Sequence, residues 1–533
     1  MTFCPTHKMQ WTDDDIVHKQ HQKEFPSCND YKNDDKLQKL QSKNSNSLSK
    51  SELKIKGKLG NLFVESVWID EKPAFLCINL DSGEILSQSN VIHDGIKYIP
   101  PQRESDIPYE KYSFSSKEVK QLNNQKISKQ ELLDEIKILA NHYIVNFPIA
   151  QTLTTVDVLL SHCMDWIDLI HYPFYVGDTG SGKSANAHFF KWLSYRPLYS
   201  EDITTANIYQ YLGETDEGQG TIIEDEAQDL GEQREKIKIY KNGYSRGSKI
   251  PRITNSDSTR NQKFYYTFGL KVFCGEKIPN DKGLLERLVI IKMIEGRPKG
   301  NIKKPTSDEK IQLRQLRKRL LVWKLQTQII GLPEQIKTDL VNRDEELWYD
   351  FLRIASDTTF YEPAQKVVNY FVKQRHENIE NSLEAKLFRC IVYNLDENME
   401  LNIMKFWEWL LSDQNTILTG NDNGRQSIIL DEFQDTLSIH TTSGLIRDKF
   451  HGMRFPKTSK GNDGKYHEIT FYKFEAVNCK KLVDKYGIEI PSLDHPIYKG
   501  LEGLEGRRSD PSDPSDPFCE HVLMYRRRNN HEN

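Results

Sequence analysis

No stretch of this chain is apolar for long enough to cross a bilayer as a helix, and residues 1–10 hold no apolar run of the kind that drives secretion. No membrane is therefore expected among its partners, and the expected compartment is the cytoplasm. Cysteine is scarce as well. Eight cysteines, among them Cys4, Cys163 and Cys519, are scattered over 533 positions without a Cys-x-x-Cys pair. That spacing argues against a disulfide framework and against a zinc ribbon. Cys4, His7, His18, His21 and Cys28 could ring a metal on paper, but their surroundings are too polar to fold around one. An excess of one charge is also missing: 73 basic residues face 77 acidic ones, so an anionic partner has to be met by a local patch.

What the chain has in quantity is length and polarity. It exceeds one ordinary core, so several domains are expected. Residues 1–52, dominated by Lys, Asn, Asp, Gln and Ser, read as a disordered arm, because so few apolar groups cannot offset the ordering entropy. Residues 53–125 alternate β-rich runs such as Leu62–Ile69 with turns such as Asp94-Gly95, the pattern of a small β-module. Its Phe63, Trp68 and Phe75 suit core packing ahead of stacking on bases. Residues 126–300 carry the nucleotide motifs described below, after a helix capped near Ser128 and a second helix over Val156–Ile170. Residues 301–380 read as a helical extension that includes a basic amphipathic helix over Asp308–Ile330. Residues 491–533 read as a flexible tail, where Ser509-Asp510-Pro511 is repeated twice more.

The most specific signal is Gly177-Asp178-Thr179-Gly180-Ser181-Gly182-Lys183-Ser184, a match to G-x-x-x-x-G-K-[ST]. An apolar stretch precedes it and a helix-forming one follows. The glycines let the backbone wrap so that N–H groups face phosphate oxygens, at the positive end of a helix. Lys183 is expected to reach the β- and γ-phosphates of ATP, and Ser184 to ligate Mg²⁺. Hydrolysis also needs a metal carboxylate and a water-activating group. Thr221-Ile222-Ile223-Glu224-Asp225-Glu226 supplies both at the end of a short apolar run. In one register Asp225 serves the metal and Glu226 the water; Glu224 and Asp225 form the other. Ser200 or Asp202 is expected to cap the helix between the two motifs.

From Lys236 to Arg252 there are six basic residues and no acidic one: Lys236, Lys238, Lys241, Arg246, Lys249 and Arg252. With two glycines and two tyrosines interleaved, the segment reads as a hinged loop suited to a nucleic-acid backbone. Two other uses remain open, contact with a neighbouring subunit's nucleotide or simple solvation. Farther on, Arg287 stands directly before the β-branched Leu288–Lys292. It is either an arginine finger reaching a neighbour's ATP or half of a surface pair with Glu286. In residues 381–490, three helices (383–395, 403–411 and 443–450) are followed by a Gly-rich loop bearing Arg454, Lys457, Lys460 and Lys465, and then by Ile469–Tyr472. That order reads as a winged helix with Arg447 and Lys449 toward a groove, or as a helical lid or oligomerisation domain.

The succession of the phosphate loop, Glu224-Asp225-Glu226, the basic segment and Glu286-Arg287-Leu288-Val289-Ile290-Ile291 resembles AAA+-type ATPases of replication. It is most similar to superfamily 3 helicases and to the primase-associated helicase-like proteins of plasmids, viruses and archaea. The resemblance covers about residues 150–300. It implies an α/β, AAA+-like P-loop NTPase core, here joined to the β-module and the mostly helical, winged-helix-like C-terminal region. It also implies ATP and Mg²⁺ as cofactors, a homo-oligomer such as a hexameric ring, a primase or other replication partner, and a DNA-tracking role for Lys236–Arg252. One position departs: Cys274-Gly275-Glu276 stands where the family has a polar Asn, and Asn280 comes late. The leading expectation is an ATP-hydrolysing, helicase-like motor acting on nucleic acid, with DNA ahead of RNA. The alternatives are an ATP-dependent DNA-binding switch without unwinding (an initiator or loader), a P-loop kinase, and a defence or signalling protein with a nucleic-acid sensor.

Overall fold

A computed structural model describes residues 2–4, 9–11, 51–213, 218, 220–256, 259–333, 335–380, 382–412, 417–422, 425–429, 436–460, 466–490, 492 and 494–505. Most of the arm expected over 1–52, the paper metal ring beyond Cys4 and most of the tail expected over 491–533 lie outside these residues. By proximity the chain forms two compact units, Met1–Asn369 and Tyr370–Asn533. Among the described residues no helix is long and apolar enough to cross a membrane.

In the first unit, Lys56–Leu59 (β1), Leu62–Ile69 (β2), Lys72–Asn79 (β3), Ile85–Gln88 (β4) and Ser113–Phe114 (β5) form one sheet, ordered β5-β2-β3-β4 with β1 also on β2. Asp94 (φ 50°) and Gly95 (φ 74°) turn the hairpin between Val91–His93 and Ile96–Ile99, both left-handed as a two-residue hairpin requires. Phe63, Trp68 and Phe75 are all buried, which leaves none of them to stack on a base. Lys129–Tyr143 (α1), capped by Ser128, is followed by Pro148–Ser161 (α2). The second helix starts well before Val156 because Pro148 suits its first turn, and it ends at Ser161.

A five-stranded parallel sheet forms the centre of this mixed α/β unit. Its strands are Tyr172–Val176 (β6), Pro197–Ser200 (β7), Thr221–Asp225 (β8), Lys271–Gly275 (β11) and Leu288–Lys292 (β12), in the order β7-β8-β11-β6-β12. Lys183–Leu193 (α3) follows β6, Thr205–Gly213 (α4) follows β7, and Arg234–Asn242 (α5) follows β8. Lys249–Ser256 (β9) and Thr259–Tyr266 (β10) form an antiparallel hairpin inserted before β11. Proline is rare inside a central strand, yet Pro173 is tolerated in β6. The Tyr172 N–H goes to Arg287 O (2.9 Å), so the nitrogen of Pro173 points to the other side, where pairing with β11 begins only at Phe174. Helix α3 buries Phe189, Phe190 and Leu193 completely, each contributing roughly 1.5–3 kcal/mol. Helix α4 is capped by Thr204, whose hydroxyl accepts from Asn207 N (3.3 Å), and not by Ser200 or Asp202, because Ser200 turns back on Asp202 instead.

Ser307–Ile330 (α6) opens on a Thr306/Glu309 capping box. Its Leu321, Val322 and Leu325 share one apolar core with Val67, Trp68 and Leu76 of the first sheet and with Tyr195 beside β7. A buried charged network seals that junction. Arg196 donates to Glu65 (2.6 Å), Ser66 Oγ (3.0 Å) and the hydroxyls of Tyr195 and Tyr109. Lys324 pairs with Glu65 (3.2 Å) and with Asp165, and Lys56 pairs with Asp165 (2.5 Å). Burial alone would raise the Asp165 carboxyl, but Lys324 and Lys56 hold it below the ordinary range.

The second unit contains Leu383–Asn394 (α7), Glu400–Asn402 (β13), Ile403–Ser412 (α8), Ile439–Asp448 (α9), Met453–Lys460 (β14) and Tyr466–Lys473 (β15). The strands order as β13-β15-β14, and Phe388, Ile391, Phe406, Ile446, Phe450 and Tyr472 belong to one core. Helix α9 begins four residues earlier than Ser443, because Ser438 and Thr441 make a capping box. Arg454 and Lys457 stand on a strand, β14, and not on a loop; its ladder with β15 takes up the backbone. Lys465 lies outside the described residues.

Candidate nucleotide site and basic hairpin

Strand β6 is buried along its whole length and ends at the loop Gly177–Gly182, which delivers the chain to the first residue of α3, Lys183. Two loop glycines have left-handed backbones, Gly180 (φ 86°) and Gly182 (φ 91°). At Gly177 a Cβ would meet Ser181 Oγ at 2.8 Å, so only glycine lets the loop close on itself. The Ser181 hydroxyl is buried without a hydrogen-bond partner. A polar atom left so inside a cradle of glycines and N–H groups fits a phosphate oxygen.

Ser184 is brought to Asp225 across 41 positions of sequence: its hydroxyl donates to Asp225 Oδ1 at 3.1 Å. The other carboxylate oxygen accepts from the Tyr199 hydroxyl at 3.1 Å. His188 Nε2 lies 3.2 Å from that hydroxyl, and Lys191 sits 4.4 Å from the Tyr199 ring centroid. Burial, with Lys191 nearby, lowers His188 to about 4; burial and the Asp225 charge raise the Tyr199 phenol. A hydroxyl and a carboxylate side by side are hard oxygen donors of the kind Mg²⁺ takes. Tyr199 therefore orients a candidate ligand it does not replace, a role invisible until β7 and β8 pair Tyr199 with Ile223. Tyr199→Phe is expected to weaken Mg²⁺-dependent nucleotide binding or turnover 10–100-fold, checked by a Mg²⁺ titration of both proteins.

Alternation along β8 separates Glu224 from Asp225. Glu224 points away from the loop, where it accepts from Lys236 Nζ and from the Tyr240 hydroxyl (2.8 Å). Burial raises its carboxyl above the ordinary range against the pull of Lys236. Glu226 is exposed and takes a left-handed backbone (φ 79°), which is costly for a residue with a Cβ and recurrent at functional sites. Past β11, Glu276 accepts from Thr179 Oγ1 (2.7 Å) and lies 3.8 Å from Lys183 Nζ. Lys183 itself folds back on Gly177 O and on Asp178 O (3.0 Å). Asn280 rests against Gly231, where an added Cβ would meet its Oδ1 at 3.0 Å.

The basic segment is not one loop; only residues 243–248 in its middle lie outside helix and strand. Its first part is the end of α5, where Lys236, Ile237, Ile239 and Tyr240 are buried at helical spacing, and its last part is the first strand of the hairpin. Lys236, 2 % exposed and paired with Glu224, is out of reach of a phosphate backbone. Lys241 pairs with Asp281 (3.2 Å), and Arg252 pairs with Glu235 over the Tyr209 ring. Arg246 is bound to Ile167 O (2.9 Å), Met164 O and Asp168 (3.2 Å). Lys238 and Lys249 are exposed, and the hairpin adds exposed Lys263 and Phe264, the last 53 % exposed. Lys263 and Phe264 both lie beyond the basic run that ends at Arg252, and charge spacing alone does not single them out; by register Phe264 shares a face with Lys249, and Lys263 with Arg252. The hairpin root packs on α4 so closely that a Cβ at Gly213 would meet Tyr265 at 2.6 Å.

Arg287 stands at the start of β12, and its guanidinium lies 4.2 Å from the Tyr244 ring centroid, with Arg343 at 4.6 Å from the same ring. Because Tyr172 pairs with Leu288 and Val176 with Lys292, it is at the opposite end of the sheet from Gly177. Arg287 is level with His171, six positions before Gly177, so the separation is about 20 Å at 3.3 Å per residue.

No protein-family profile matches this chain, and no curated protein matches it. Among solved structures it is similar to the C-terminal region of NrS-1, with 13 % identity, 77 % of this chain and 96 % of that one covered, and a TM-score of 0.29. It is similar to a full-length MCM homolog from Methanopyrus kandleri, with 12 % identity, coverage of 59 % and 78 %, and a TM-score of 0.29. It is also similar to the JCV helicase, with 13 % identity, coverage of 50 % and 65 %, and a TM-score of 0.23. Likenesses of this order assign neither activity nor substrate.

Proposed function

We propose that this chain is a P-loop ATPase that grips nucleic acid, DNA ahead of RNA, and works as a helicase-like replication motor. The observation that carries the reading is the 3.1 Å contact of Ser184 with Asp225, directly beside Lys183 at the start of α3 and the self-closing glycine loop. In open parallel sheets, ligands bind beyond the carboxyl ends of the strands where the strand order reverses. Gly177 follows the carboxyl end of β6, between β11 and β12, at that reversal. Loop N–H groups and Lys183 bind the phosphates of ATP. Ser184 and Asp225 would hold Mg²⁺, which supplies charge neutralisation for phosphoryl transfer, and Glu226 takes the proton of the attacking water.

Arg287, about 20 Å from its own chain's loop, is out of reach of its own nucleotide, so any nucleotide role it has is toward a neighbour's. This is compatible with the finger reading and with a homo-oligomer closed head to tail into a ring, a hexamer being the size the resemblance implies. Lys249 and Phe264, which the hairpin register puts on one face, make the nucleic-acid face in place of the wider set read from sequence, with exposed Lys238 as a further cation: exposed cations for phosphates, an exposed ring for a base. We read residues 381–490 as a winged helix, supported by three helices with the strand order β13-β15-β14 and by exposed Arg447 and Lys449 on and just after α9. An ATP-gated DNA-binding switch is the second reading; it is favoured by Glu276, a charged residue at the strand end where a neutral sensor is expected.

Steady-state ATP hydrolysis with and without single-stranded DNA tests the proposal. The expected result is hydrolysis stimulated by DNA. In a Lys249→Ala/Phe264→Ala variant the stimulation is expected to be lost, DNA binding to weaken, and the slope of log affinity against log salt to fall by ~0.7 for the lost phosphate contact. Hydrolysis indifferent to DNA would move the weight to a P-loop kinase, which needs an acceptor and no ring.

A further inference from the structure

A carboxylate of the chain itself stands beside the lysine that the nucleotide-site reading aims at phosphate oxygens. Glu276 Oε1 accepts from Thr179 Oγ1 at 2.7 Å, at the tip of the glycine loop, and stands 3.8 Å from Lys183 Nζ. Its place is structural, not accidental. Gly275 is the last residue of β11, it pairs with Val176 at the end of β6, and its carbonyl accepts from Gly177 N (3.3 Å). Glu276 is thereby the first side chain beyond the sheet on the strand adjacent to the loop. Lys183, meanwhile, spends its protons on Gly177 O and Asp178 O. Lys183, which the site reading aims at the terminal phosphates, and the Thr179 hydroxyl of the loop are therefore engaged from within.

We propose that Glu276 is an internal anion that competes with nucleotide phosphates for Lys183 and Thr179, and that nucleotide binding displaces it. This rests on the nucleotide-site reading and adds a cost to it. A carboxylate and a polyphosphate, both anionic, repel each other across a few ångströms and compete for one ammonium. Entry of the phosphates frees Lys183 from the loop carbonyls and expels the Glu276 carboxylate from Thr179. Affinity for nucleotide is then set below what the loop alone would give.

The test is the dissociation constant of MgATP and of MgADP, by calorimetry, for the full chain and for Glu276→Gln and Glu276→Asp. Gln keeps the size and the acceptor oxygen for Thr179 but carries no charge; Asp keeps the charge but is one methylene too short to hold Thr179 in the same geometry. The inference expects Glu276→Gln to bind both nucleotides about tenfold more tightly, the equivalent of about 1.4 kcal/mol, and Glu276→Asp to fall between it and wild type. Damage to the fold loosens binding, so a tightening is not produced by a structural defect. Measurable binding only in Glu276→Gln supports the inference too. Unchanged or weaker binding in Glu276→Gln, with nucleotide bound by wild type, overturns it and leaves the site reading standing. That holds also where turnover falls without tightening, which would place Glu276 in the hydrolytic machinery. No binding by any of the three proteins overturns the site reading and the inference together.

Discussion

Glu226→Gln is expected to bind MgATP as tightly as wild type and to hydrolyse it 10²–10⁴-fold more slowly, the usual worth of a positioned general base. The amide keeps the size of the side chain and the acceptor oxygen that orients water, but it cannot take the proton. Glu226 follows Asp225 directly, beside the metal position proposed above, and its exposed side chain stands on a left-handed backbone. Lys183→Ala is its companion with the opposite signature, loss of binding itself, because the phosphates lose the only ammonium within the loop. Single-turnover hydrolysis beside equilibrium binding separates the two. Normal turnover in either variant would remove these residues from the roles given them. The register with Glu224 and Asp225 as the working pair would instead make Glu224→Gln the slow variant; its buried contacts with Lys236 and Tyr240 leave it no path to a nucleotide.

The second large effect is on stability. Glu65→Gln is expected to destabilise the first unit by about 3–5 kcal/mol, as breaking a buried ion pair does. Glu65 is fully buried and is shared by Arg196 and Lys324. Without it, three buried cations face Asp165 alone. Arg196→Met should cost less, because Lys324 still compensates the Glu65 carboxylate. The double variant Glu65→Gln/Arg196→Met should be more stable than the sum of the single effects predicts, since the second change removes a charge that the first left unpaired. Urea unfolding of the four proteins measures all three relations, and additive losses would show that the network is not acting as one unit.

Some of this was readable from the chain and some was not, for identifiable reasons. The strand, glycine loop and helix around Gly177–Ser184 and the strand that ends in the acids at 224–225 were legible because such a turn needs particular residues at adjacent positions, and adjacency is what a sequence records. The cap at Ser128 was legible for the same reason. The basic run misled, because charge spacing says nothing about which cations are already paired: Lys236 looked like its neighbours, but the apolar Ile237, Ile239 and Tyr240 at helical intervals turn it inward to Glu224. The β-module read as a separate domain by composition, yet Trp68 and Leu76 share a core with Leu321 and Leu325, more than 200 positions away.

By itself, then, the sequence determined the local chemistry: a glycine loop ending in Lys183-Ser184, consecutive carboxylates, and the alternation of strands and helices that yields a parallel sheet. Local steric and hydrogen-bonding rules suffice for these, since each involves residues within a turn or two of one another. The tertiary structure alone decided which of the three acids meets Ser184, that Tyr199 steadies it, that Glu276 reaches Thr179, and that Arg287 stands at the far end of its own sheet. Those outcomes depend on strand order and register, which are settled by burial summed over the whole core and not by any one segment.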